Sequence, residues 1–412
     1  MKGAKGAAPA YGWVVTIVVW LTGISMPLNM LKVSILAPVI MEAFSVDTDA
    51  MSWVIATFYI MGMILALPGA VVVDRIGKKA TFVLSLICAL IGGALGYIAQ
   101  DIGLFIVSRI IEGIGFGLVT TAAVPAISAW FVPEHRGVPL GVWAINVTAA
   151  FLIGPNLFSQ IYAATGSYHD VWALSFAFDA VVLVAVLALY REPTFTFDDH
   201  GQRVALADGS ARASAPKKGV LKRVLTQPAV LLVAAIFFCE EVPFLGMSNF
   251  LTTYAAQETD LTLPVMSTII SVMAIVGCVV NPLSGMISDK IKSNKKLMVI
   301  SCIGGTVYAW LVFQATTVQA FIPVILCNAL AGGIIPTMVM ASIPKVVKDP
   351  ADIAGATAVV LFAQQLASFL GSRVLGLIVA TYGGFAVAGQ FFMAPIFALG
   401  LVILVLGWKK LP

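Results

Sequence analysis

The stretch Gly69-Ala-Val-Val-Val-Asp74-Arg75-Ile-Gly77-Lys78-Lys79 is a charged turn between two long apolar runs, and the chain writes a version of it twice. The second copy, Gly285-Met-Ile-Ser-Asp289-Lys290-Ile-Lys292-Ser-Asn-Lys295-Lys296, places its aspartate 215 residues after the first. That interval is about half of the 412 residues, so it marks a duplicated half and not a solenoid, whose period is roughly 20–50 residues.

The runs around the two turns fix the class. The chain is 60% hydrophobic and 11% charged, with a mean hydropathy of +1.00, whereas roughly a quarter of a soluble domain is charged. Apolar runs of ~20 residues recur, the length a helix needs to cross a ~30 Å hydrocarbon core. None alternates polar with apolar as barrel strands do. The expectation is an all-α membrane protein with twelve transmembrane helices, at about 12–41, 50–72, 80–98, 103–131, 138–164, 171–190, 228–257, 264–288, 297–315, 319–343, 353–381 and 386–408. The one long connection divides them into an N-terminal six-helix bundle (1–190), a polar linker (191–227) and a C-terminal six-helix bundle (228–412). A short surface helix is expected in the linker near Val220–Leu225. The first run, from Tyr11, outlasts the apolar region of a signal peptide and lacks a small-residue cleavage site, so it reads as a retained helix.

Orientation follows from Lys and Arg, which resist translocation. Of 24 such residues, Lys32, Arg109 and Arg373 lie inside spans, and the other 21 fall in the N-terminus, the even-to-odd turns, the linker or the C-terminus. The opposite turns carry Glu42, Asp47, Asp49, Asp101, Asp170, Glu258 and Asp260 and no Lys or Arg. The expected localisation is a bacterial inner (plasma) membrane, multi-pass, with both termini and the linker cytoplasmic. Trp13, Trp53, Trp130, Trp172 and Trp408 sit near span ends and read as interfacial anchors. The five cysteines lie singly in apolar runs and read as core packing. No metal, cofactor, nucleotide-binding or nucleophile constellation stands out, so an enzyme is not expected, nor a nucleic-acid partner. The linker is too short and polar for a signalling domain.

Taken together, these features resemble transporters of the major facilitator superfamily. The first turn matches that family's signature at Asp74, Arg75, Gly77, Lys78 and Lys79, with Ala70 where a glycine is usual; the second keeps Gly285, Asp289 and Lys290. Arg109-Ile-Ile-Glu112-Gly113 resembles the fourth-span motif and Gly154-Pro155 the Gly-Pro pair of the fifth. The resemblance implies two pseudo-symmetric six-helix bundles that rock about a central site, each face open in turn. It also makes Asp74, Arg75, Lys78, Asp289 and Lys290 gating residues, their alternative being a topology signal alone. Arg109 and Glu112 join this group through their motif, or form an i, i+3 intrahelical pair.

Ionisable groups at membrane depth are costly and so are site candidates. Seven occur: Lys32, Arg109, Glu112, Asp179, Glu240, Glu241 and Arg373. Lys32 shares a helical face with Asn29, and the opening Tyr11–Val15 resembles bacterial monocarboxylate and oxalate/formate-type carriers, in which a lysine deep in the first helix is common. Snorkelling of Lys32 to the interface is the plainer reading. Arg373 either grips an anionic solute or pairs with Glu240 or Glu241; aligning Gly371 with Gly154 sets it opposite Asn156. Four acids against three bases leave a carboxyl without a fixed partner, as proton coupling needs, and Glu240 or Glu241 is expected there. Asp179 has no evident partner. The expected solute-binding set is Lys32, Asn29, Arg373, Asn156, Asn249, Asn281 and Gln364.

The function expected from these readings is proton-coupled transport of a small organic anion, monocarboxylate-like, by a monomer in the lipid bilayer. The alternative is a proton-antiporting exporter of drugs or of cationic or amphipathic metabolites. The orientation has a direct test. Alkaline phosphatase fused after Asp101 or Glu258 is expected to be active, and the same fusion after Arg191 inactive; the reverse pattern refutes the topology.

Overall fold

The computed structural model describes residues 10–66, 68–132, 135–197, 203–205, 220–349 and 352–411. The linker runs expected at 198–202 and 209–218 lie outside them. Among the described residues, twelve helices are long and apolar enough to cross a membrane. They are α1 (Ala10–Ile35), α2 (Thr48–Leu65), α3 (Lys78–Ile98), α4 (Ile102–Ser128), α5 (Gly137–Thr165), α6 (Tyr168–Leu189), α7 (Pro228–Ser248), α8 (Leu263–Ile291), α9 (Asn294–Gln314), α10 (Phe321–Val346), α11 (Ile353–Tyr382) and α12 (Phe385–Leu406).

Four expected spans are interrupted, the fifth of the twelve briefly at Ile145, between Gly137–Ala144 and Asn146–Thr165. α1 breaks at Leu36 and resumes as Ala37–Phe44, with Pro38 in the first turn, where its missing N–H costs nothing. α2 breaks ahead of Pro68 and resumes as Gly69–Ile76. α7 breaks at Asn249 and Phe250 and resumes as Leu251–Glu258.

Helix packing shows the duplication. In the first half α1 packs on α5 and α6, and α3 on α4 and α6; in the second, α7 packs on α11 and α12, and α9 on α10 and α12. The halves meet through α2 with α11 and α5 with α8, a relation preserved when the halves are exchanged. Glycine permits the closest approaches. A Cβ on Gly371 would stand 2.0 Å from the Val242 carbonyl oxygen, so α7 and α11 touch backbone to backbone.

The charged turns divide by face. Away from the linker, Asp47 accepts from the Ala50 N–H and Asp101 from the Leu104 N–H, each at 2.9 Å, capping the starts of α2 and α4. On the linker face, both copies of the doubled turn attach to the last helix of their own half. Lys79 Nζ donates to the Leu187 carbonyl at 2.9 Å, and Lys295 Nζ to those of Trp408 and Leu411 at 3.3 Å, cations at helix C-termini where they complement the dipole. Glu192 accepts from the backbone N–H groups of Lys78 (3.1 Å) and Lys79 (3.4 Å) at the start of α3. Neither Asp74 nor Asp289 makes a hydrogen bond or ion pair to another described residue.

Several local expectations need correction. Trp130 and Trp172 are buried in the first half and do not anchor an interface, although Trp53 is exposed. Cys278 is exposed, unlike Cys88, Cys239 and Cys302. The linker helix is where it was expected, Val220–Leu225, held to α11 by an Arg223–Asp352 ion pair at 2.7 Å. An unexpected antiparallel strand pair, Phe195–Phe197 with Arg203–Ala205, is too short for its alternation to stand out in the sequence.

The two copies of the turn share a backbone requirement. Gly77 has φ 84°, and its counterpart Lys292 has φ 52°. A side chain in the left-handed region costs about 1 kcal/mol. Lys292→Gly is expected to raise the midpoint of thermal unfolding and Gly77→Ala to lower it, measured on purified protein in detergent.

Candidate functional site

The first half holds a buried polar network around Glu112. One carboxylate oxygen accepts from Lys32 Nζ at 2.8 Å and the other from the Arg109 guanidinium. Lys32 also donates to Asn29 Oδ1 at 2.6 Å and lies 4.9 Å from the Trp172 ring. Arg109 donates to the Asn29 carbonyl at 3.0 Å and stacks on Phe58. The Asn29 amide reaches Asp179 Oδ2 at 2.8 Å, and Ser25 donates to Oδ1 at 2.5 Å. All these groups are buried. Two cations and two carboxylates therefore balance at membrane depth, each with hydrogen bonds to spare it an orphaned charge.

The intrahelical Arg109–Glu112 pair is present as expected, with Lys32 added to it. Asp179, for which the sequence offered no partner, has two. The signal was there in Ser25, Asn29 and Lys32, spaced i, i+4, i+7 on one face of α1.

In the second half Glu240 and Glu241 are buried with no Lys or Arg beside them. Glu241 accepts from Gln364 at 3.1 Å. Glu240 lies against Cys302, and its Oε1 has no hydrogen-bond partner among the described residues. The expected pairing of either acid with Arg373 does not form. Gln364, which meets Glu241, precedes Arg373 by nine residues, ~13 Å along α11. Arg373 instead crosses to the other half, pairing with Asp49, donating to Ser52 at 3.1 Å and stacking on Trp53.

Other expected solute ligands lie in a seal between the halves. Asn249 accepts from Ser34 at 3.0 Å and donates to Tyr59 (3.2 Å) and Ser372 (3.0 Å), so one carboxamide ties four helices. Thr252 donates to the Ser34 carbonyl at 2.7 Å. Asn156, expected opposite Arg373, shares no partner with it: it donates to Ser271 at 2.8 Å and accepts from Thr268 at 3.0 Å. Every hydrogen bond or ion pair between the halves among the described residues lies toward the face away from the linker. None of those described joins them at the linker face.

Below that seal lies a cavity of about 180 Å³ between α5, α7, α8 and α10. Phe151, Phe244, Ser248, Asn281 and Asn328 contribute to its wall, and no acidic, basic or histidine side chain does. Of the expected solute ligands only Asn281 lines it; Lys32, Asn29, Arg373, Asn156, Asn249 and Gln364 do not. Phe151, Phe244 and Asn328 went unnoticed because, in helices apolar on every side, no periodicity marks the face that looks inward.

The profile of the Major Facilitator Superfamily matches residues 13–372 and 246–412. An uncharacterized MFS-type transporter of Bacillus subtilis (strain 168), YwfA, is 23% identical over 386 residues, 92% of this chain and 88% of its own length. The hexuronate transporter of the same organism is 24% identical over 70% of this chain and 69% of its own. Multidrug resistance protein 3, also from B. subtilis, is 32% identical over 35% of this chain and 28% of its own. The matches to two further B. subtilis relatives, the uncharacterized transporters YhcA and YfiU, span only 31% and 29% of their lengths. Among solved structures, a D-xylose-proton symporter superposes with a TM-score of 0.72 at 16% identity, covering 98% of both chains. A bacterial homolog of the human lysosomal transporter Spinster, inward-facing and unoccupied, gives 0.71 at 15% identity, covering 98% of this chain and 97% of its own. With the twelve helices, the duplicated packing and the cavity between the halves, the profile match makes the chain a member of the Major Facilitator Superfamily.

Proposed function

We propose that this chain is a proton-coupled carrier of a small organic solute, working by alternating access. The observation that carries the proposal is the one-sided distribution of contacts between the halves. A barrier on one face of a cavity and no latch on the other is one of the two end states a rocking carrier requires. With the linker face in the cytoplasm, as the charge distribution favours, this state admits solute from inside the cell.

Glu240 and Glu241 are the groups we assign to proton coupling. Each sits at membrane depth without a cation, so taking up or losing a proton changes its charge without breaking an ion pair, and a lone buried charge is a strong bias on any movement of α7. Arg109 and Glu112 act differently: they hold α4 to α1 through Lys32 and Asn29. The gating contacts of this state are Arg373–Asp49 and the Asn249 hub, and the doubled turn with Asp74, Arg75, Lys78, Asp289 and Lys290 serves the opposite state, where the linker faces approach.

The wall without charge favours an uncharged or amphipathic solute over a monocarboxylate, because Lys32 and Arg373 are both engaged by carboxylates. One observation keeps the anion reading in play. Glu112 alone holds two cations, so protonating it releases positive charge beside α1. The resemblance to monocarboxylate and oxalate/formate-type carriers rests on residues 11–15 and Lys32 and adds no further ligand.

Proteoliposomes containing a pH-sensitive dye distinguish these readings. Challenge with glucuronate, benzoate, benzamide or tetraphenylphosphonium is expected to move protons for one class of solute. Glu240→Gln or Glu241→Gln is expected to abolish the proton signal while retaining solute exchange. Coupled flux unchanged in both variants removes these acids from the mechanism. Arg373→Ala and Asp49→Ala are each expected to increase labelling of a cysteine placed at Ser52 from the face away from the linker, with little further increase in the double variant.

A further inference from the structure

The geometry points to a specific solute class: an uncharged ring compound bearing a hydrogen-bonding group, its ring against Phe151 and Phe244 and its polar group on Asn281 and Asn328. This rests on the cavity being the carrier's solute site, and it adds which chemistry the site accepts.

The polar side chains of the wall are neutral and have bonding capacity left over. Asn281 Oδ1 accepts from Thr337, but its amide makes no hydrogen bond to a described residue. Asn328 approaches the hydroxyl of fully buried Tyr308, a contact that engages only part of a carboxamide with two donors and an acceptor. Ser248 gives its proton to the Phe244 carbonyl at 2.7 Å and also approaches the Tyr308 hydroxyl, leaving one lone pair for a further donor. Asn328 is buried and Asn281 and Ser248 partly so, and the bonding capacity they keep at the wall is open to a solute or to water.

The apolar part of the wall includes one aromatic ring from each half, Phe151 on α5 and Phe244 on α7, beside aliphatic side chains such as Leu251, Ile270 and Met273. Phe244 is held in place by Gly332, where a Cβ would stand 2.3 Å from the ring's Cζ. Rings fixed on two bodies that move relative to one another favour a flat solute that contacts both. A charged group would find hydrogen bonds but no counter-charge, since the ion pairs of the molecule lie elsewhere, and desolvating an unpaired charge is far costlier than desolvating a neutral amide or hydroxyl.

Four probes share a ring and differ in charge: benzamide and benzyl alcohol are neutral, benzoate is an anion, and benzylamine is a cation at pH 7. Isothermal titration of the full-length protein in nanodiscs is expected to show benzamide binding at least about tenfold more tightly than benzoate or benzylamine. Asn328→Leu is expected to weaken benzamide more than benzyl alcohol, and Asn328→Asp to invert the order toward benzylamine. Gly277 lies on the wall with nothing within 4 Å of its Cβ direction, so Gly277→Leu fills the cavity without a clash and is expected to abolish binding of every probe. Binding of benzoate or benzylamine equal to or tighter than that of benzamide overturns the inference, as does binding unaffected by Gly277→Leu or no binding of any probe. Failure of the carrier reading looks different: benzamide binds with this pattern and is not moved across the proteoliposome membrane. Conversely, a proteoliposome that transports benzoate and excludes benzamide keeps the carrier and removes this solute class.

Discussion

A charge at membrane depth has to be answered by another charge or by hydrogen bonds, and the first half of the molecule is arranged around that requirement. Glu112 answers Lys32 from α1 and Arg109 from its own helix; Asn29 then links this group to Asp179 on α6. Three helices are bound by side chains that none of them tolerates alone, so removing any one member leaves a partner uncompensated. The second half meets the same requirement less completely. Glu240 and Glu241 have a thiol and a carboxamide for company. One half is thus electrostatically finished, and the other retains groups whose charge is free to change. The duplication supplies the architecture and this inequality supplies the chemistry.

The doubled turn takes on a different meaning beside these networks. Its lysines bind carbonyls at the end of the last helix of the first half and just beyond that of the second, so each copy ties its own bundle together. Motion between the bundles then falls to the contacts that cross: Arg373 with Asp49, and the Asn249 hub. A rigid half and a breakable seam are complementary needs, and different residues meet them.

The helices, their number and the duplication were legible in the sequence because they depend on properties summed over twenty residues at a time. Lys32, Arg109, Glu112 and Asp179 were legible as exceptional, since a charge in an apolar run has no trivial explanation. Their partners were harder. Arg373 was matched to the acids of α7 by counting charges, whereas the distance along α11 sends it to Asp49, a residue that from sequence belonged to a solvated turn. The cavity wall was the least legible part. An Asn or Phe in a helix apolar all round looks the same whether it faces a neighbour, lipid or solute, and only the packing of four helices separates these.

Among the described residues, the one ion pair that joins the halves is also the most hydrated of those within the helix bundles, with Arg373 17% and Asp49 32% exposed. Screening by salt acts on such a pair and hardly at all on the buried network, because the Debye length shrinks from about 10 Å at 0.1 M to about 3 Å at 1 M. Ionic strength therefore acts on the contact between the halves more than on the electrostatics within either half. A brackish medium weakens this pair while leaving the internal electrostatics of each half intact.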